Sequence, residues 1–90
     1  MDKKIAVIIR DRQEEALRMA LGLMLLDYTP DVFYLDSPIE DTEKNRLQLE
    51  TAEEMELNLY TNCSDNQEIE QLSLEEITAR LTAYDVVLTY

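Results

Sequence analysis

Ile5-Ala6-Val7-Ile8-Ile9, then a helical stretch from Asp11 to Leu26, then Asp31-Val32-Phe33-Tyr34-Leu35-Asp36 decide the fold of this chain. The first run is continuously apolar and mostly β-branched, so both faces of such a strand must be covered, as in a central parallel strand. Asp11, with Glu14 three residues on, has the pattern of a helix N-cap and capping box. Leu17, Leu21 and Met24 then share a face, which Ala16, Ala20, Leu23 and Leu26 widen. That arc is broader than one sheet contact needs. It fits either a deeply buried helix or a helix with one flank against another subunit. Pro30 ends the helix, and one helix between two strands makes a βαβ unit.

Working outward, residues 41–56 form a second, mostly charged helix with a narrow stripe of Leu49, Ala52 and Met55; Leu47 lies off it. A third strand follows over residues 57–62. Ser64-Asp65-Asn66-Gln67 is loop chemistry, and residues 68–72 form a short edge strand. Ser73 and Glu76 make a capping box, with Leu72 and Ile77 placed as its hydrophobic staple. Leu74, Ile77, Leu81 and Tyr84 line the helix that follows. Val86-Val87-Leu88-Thr89-Tyr90 is a last strand. The expected fold is α/β: a small three-layer sandwich with a mainly parallel, flavodoxin-like sheet of four to five strands. Residues 1–90 form a single domain, and its open sheet edges predict a homo-oligomer.

Composition removes many functions. Asp and Glu number 20 against 8 Lys and Arg, a net charge of -12. Such a field repels nucleic acid and anionic membranes. The bases gather early, at Lys3, Lys4, Arg10, Arg12 and Arg18. The chain has no histidine, which excludes Ser-His and Cys-His dyads. Its one glycine, Gly22, lies in a helix, so there is no dinucleotide fingerprint and no P-loop. Asp11 and Asp36, both near strand ends, offer a weak magnesium pair; a helix cap and a turn residue explain them better, and no metal or organic cofactor is expected. No leader or membrane-length apolar run is visible, and with one free thiol the expected compartment is the cytoplasm.

Cys63, the only cysteine, stands at the carboxyl end of the third strand. If the strand order runs 2-1-3, the loops after strands one and three flank the crevice where open α/β sheets bind ligands. Arg10 and Arg12 would then lie near Cys63 and Asn62, and two guanidinium groups beside a thiol favour the reactive thiolate. Cys63 is the candidate catalytic residue, with Arg10, Arg12 and Asn62 as binding residues. The competing reading is a small apolar filler.

The opening Ile5-Ala6-Val7-Ile8-Ile9, the helix Glu14-Glu15-Ala16-Leu17-Arg18-Met19-Ala20-Leu21 and the strand Asp31-Val32-Phe33-Tyr34-Leu35 resemble the start of DsrE/DsrF/DsrH-like proteins. The close is similar too: Leu72-Ser73-Leu74-Glu75-Glu76-Ile77, then Tyr84-Asp85-Val86-Val87-Leu88-Thr89-Tyr90. The resemblance implies a small oligomeric α/β protein that relays sulfur as a cysteine persulfide between donor and acceptor proteins, with the acceptor cysteine after the third strand, where Cys63 falls. Members with an active cysteine tend to follow it with a glycine-containing helical segment; here Ser64-Asp65-Asn66-Gln67 stands instead. Other members lack the cysteine and act as structural partners. Two functions follow as expectations: a sulfur carrier or transferase using Cys63, or a non-catalytic oligomerising module with an inert cysteine. A small-ligand binder of flavodoxin-like shape has less support.

Overall fold

A computed structural model describes residues 4–36, 38–66 and 69–90. Their elements run β1 (Ile5–Ile9), α1 (Gln13–Leu25), β2 (Asp31–Tyr34), α2 (Glu43–Glu54), β3 (Asn58–Thr61), β4 (Glu70–Gln71), α3 (Leu74–Leu81) and β5 (Val86–Thr89). The five strands form one sheet in the order β4-β3-β2-β1-β5, every pair parallel. All of β1 is buried, as its unbroken apolar run requires.

Alternation along the strands splits the core in two. Val7, Ile9, Val32 and Tyr34 face one way, against Ala16, Leu17 and Ala20 of α1 and Ala52 of α2. Ala6, Ile8, Phe33 and Leu35 face the other way, against Leu72 and Ile77, with Tyr60, Leu81 and Tyr84 around them. The result is three layers, with α1 and α2 on one face and α3 on the other.

This layering sets the strand order, which the sequence leaves open and for which 2-1-3 is the supposition. Right-handed crossovers on one face advance the sheet in one direction, so α1 and α2 carry the chain from β1 to β2 to β3. Because α3 covers the opposite face, its crossover runs backward and sets β5 on the free side of β1, where Ile5 to Ile8 pair with Val86 to Thr89. The order around β1 is therefore 2-1-5, not 2-1-3. The strand reversal lies between β1 and β5, and β2 separates β1 from β3.

Other expectations shift locally. Arg12, not Asp11, occupies the N-cap of α1, and no side chain caps the helix. Asp11 stands one residue too early, and its N–H goes instead to the Tyr90 carbonyl at 3.4 Å. Thr42 caps α2 by accepting from the Asn45 N–H, and Ser73 and Glu76 form the expected capping box. Glu68, the first residue of the expected edge strand, lies outside the described residues, as do Gln67 of the expected loop before it, Lys3 and Ser37; the observed strand is Glu70–Gln71. It pairs only with Tyr60 and Thr61, at the carboxyl end of β3. The chain need not return along the whole sheet, so the short link over 62–69 suffices where a parallel crossover normally takes about a dozen residues. Leu26 and Leu74, expected on buried faces, are 68% and 51% exposed.

Candidate functional site

The carboxyl edge of the sheet gathers the chain's polar side chains that are held inside. Thr61, the last residue of β3, is fully buried. Its hydroxyl donates to the Tyr34 carbonyl at 2.9 Å and accepts from the Cys63 N–H at 3.1 Å and from Asn66 Nδ2 at 3.0 Å. Asn66 in turn accepts from the Ile39 N–H at 2.7 Å, and its N–H donates to the Cys63 carbonyl at 3.1 Å. The backbone of Cys63 is thus fixed on both sides. Its side chain is half-buried and its thiol is free.

A second tie crosses three strand ends. Asn62 accepts from the Asp36 N–H at 2.8 Å and donates back to Asp36 Oδ1 at 3.0 Å. Asp36 sits at φ 63, the left-handed region, where aspartate is among the better-tolerated residues. Its second carboxylate oxygen lies 3.6 Å from Arg10 Nη2. Arg10 and Asn62, both candidate binding residues, therefore meet on Asp36. Arg12 turns the other way: it lies 3.5 Å from Glu15 and 5.6 Å over the Tyr90 ring, on the β5 side of the sheet.

The notch of two guanidinium groups around the thiol is drawn on the strand order 2-1-3, and the observed order changes its frame. With β2 between them, β1 and β3 lie about 10 Å apart, and the ion-pair partners seen for Arg10 and Arg12 are carboxylates. At the true reversal point, the Arg10 and Asp11 N–H groups donate to the Tyr90 carbonyl at 2.8 and 3.4 Å and tie the two strand ends together.

Sequence reasoning missed the buried amides. Gln13 is 6% exposed and Asn45 3%. Gln13 donates to the Pro38 carbonyl at 3.0 Å and accepts from the Glu40 N–H at 2.8 Å, while Asn45 donates to the Glu40 carbonyl at 2.9 Å. Together they pin the β2–α2 connection. The signal available was an amide just inside each of two helix starts, after a strand end whose backbone lacks ladder partners.

Between that connection, α2 and the β3–β4 connection lies an open groove of about 620 Å³. Its walls include Asp65 and Asn66, from the loop that Cys63 begins. Among the described residues, no helix is long and apolar enough to cross a membrane. The chain matches no protein-family model, no curated protein and no solved structure.

Proposed function

We propose that this protein is a sulfur carrier that holds sulfane sulfur as a persulfide on Cys63. The observation that carries the reading is the position of the thiol: half-buried and free, on a fixed backbone, at the edge of a parallel sheet where open α/β proteins place their chemistry. The resemblance of both chain ends to DsrE/DsrF/DsrH-like proteins supports it. In the transfer, the Cys63 thiolate attacks the outer sulfur of a donor persulfide, R–S–SH. The donor S–S bond breaks as the new Cys63 S–S bond forms, and the electron pair leaves on the donor thiolate, which takes up the proton Cys63 gave up. Nothing is oxidised overall. An acceptor thiol then removes the sulfur by the same exchange. Arg10 and Asn62 act at one remove: through Asp36 they hold the strand end from which Cys63 projects. The lone thiol fits a reducing cytoplasm, and the acidic field turns nucleic acid away.

One observation favours a second reading, a non-catalytic oligomerising module: the ion pairs described for Arg10 and Arg12 are with Asp36 and Glu15. In both readings copies associate, since β5 and β4 leave the sheet with two edges. A monomer at micromolar concentration in size-exclusion chromatography with light scattering would end that part. Intact-mass measurement after incubation with a persulfide donor separates the readings. Sulfur carriage gives a gain of one sulfur atom on the wild type and none on Cys63→Ser. No gain on the wild type, or equal gain on both proteins, refutes it and leaves the module.

A further inference from the structure

The groove beside the Cys63 loop has a floor and a rim of different chemistry. Ile39, Leu49, Leu59 and Ile69 converge on it from four separate elements. Each is only half-buried, lying on the outside of the core beneath α1 and α2. The rim carries Glu40, Glu50, Glu53 and Asp65. Among the described residues, none of these four carboxylates meets a cation at ion-pair distance. Among the described residues, the one cation lining the groove is Arg46, which lies 3.0 Å from Asp41.

The carboxylates are spread along the walls. No three His, Cys, Asp or Glu side chains among the described residues come close enough to share a metal ion. Dispersed negative charge around an apolar floor complements a ligand with several separated positive charges and an apolar face between them. A volume of about 620 Å³ is in the range of side-chain and small-ligand pockets, so it takes a few side chains of a segment and not the flat face of a domain. We infer that this groove docks a lysine- or arginine-bearing amphipathic segment of a partner protein. Apolar side chains enter between Leu49 and Ile69, and cations reach Glu50 and Glu53 on one wall and Asp65 on the other. The net charge of -12 steers such a segment inward and makes its association sensitive to salt. The inference does not depend on the thiol, though a segment seated here lies beside the loop that Cys63 begins.

The test uses a fluorescein-labelled synthetic helix without cysteine, bearing leucines along one face and lysines on its flanks, with a glutamate-for-lysine counterpart as control. Anisotropy should show the lysine peptide binding, weakening as salt is raised, and the glutamate peptide not binding. The double variant Glu50→Lys, Glu53→Lys should weaken binding about tenfold or more by placing like charges against the peptide. The double variant Glu75→Lys, Asp85→Lys makes the same change in net charge away from the groove, on α3 and before β5, and should shift affinity by no more than about twofold if only the distant field is altered. Failure of the lysine peptide to bind overturns the inference. So does equal weakening by the two double variants, because the attraction would then belong to the overall field and not to this groove.

Discussion

Thr61 shows how much one side chain at the edge of the sheet controls. Its hydroxyl joins the end of β2, the Cys63 backbone and Asn66 inside the protein, with no exposure of its own. Valine has nearly the same shape and none of these bonds. Thr61→Val should cost about 1–3 kcal/mol, the range for stranding buried polar partners, and should read as a lower midpoint in urea unfolding. A cost below about half a kcal/mol would mean that water replaces the hydroxyl. Gly22 is the opposite case. It lies in the middle of α1, exposed, and apart from the adjoining residues and the local helix backbone nothing comes within 4 Å of where a Cβ would stand. Gly22→Ala should therefore raise stability by up to about 1 kcal/mol through helix propensity and a less flexible unfolded chain, seen as a higher thermal midpoint.

At the scale of elements, helix starts separate what the sequence can tell from what it cannot. Ser73 and Glu76 bond reciprocally at the start of α3, and Ser73→Ala should cost about 1 kcal/mol. Asp11→Ala should cost little, because Asp11 lies outside the cap of α1. Comparing the two variants by chemical denaturation checks both statements. The α3 cap was legible because every group it needs lies within four consecutive residues. The α1 cap was misread because Gln13 at the helix start is committed to the backbone of Pro38 and Glu40, far along the chain. The central strand β1, the βαβ unit and the α/β class were legible from apolar periodicity alone. Strand order was not, since it depends on which face α3 covers, and that follows from contacts with Phe33 and Leu35 that no local pattern announces. The candidate site inherits this division. Cys63 was placed correctly after β3, whereas the company expected for it came from the order 2-1-3. The buried amides escaped notice because Gln13, Asn45 and Asn66 look like surface residues until a connection folds over them.

For the molecule as a whole, α3 is anchored to the amino edge of the sheet by Tyr84. Its hydroxyl donates to Asp31, which also accepts from Asn58 Nδ2 at 3.0 Å, and its ring meets Phe33 edge-on at 5.9 Å. Burial, and then the Asp31 carboxylate, push the Tyr84 hydroxyl well above the usual tyrosine range; burial does the same for Tyr34. A proton held more tightly in the folded state stabilises fully below the ordinary tyrosine value of about 10 and is lost as pH rises toward the folded value. The unfolding midpoint should therefore be flat in this respect at neutral pH and fall above about pH 10. Tyr84→Phe should cost about 1 kcal/mol at neutral pH and flatten part of the alkaline decline. An unchanged alkaline slope would contradict the anchor.

Sulfur carriage needs the Cys63 sulfur open to reagents at the rim of the sheet, where the residue is half-buried on a fixed backbone, and the rate of Cys63 alkylation in the folded protein tests this most directly. Iodoacetamide should modify the native protein without denaturant, at a rate that stays constant until the unfolding transition begins. A thiol that resists the reagent until the chain unfolds would contradict the account and reduce Cys63 to core filler.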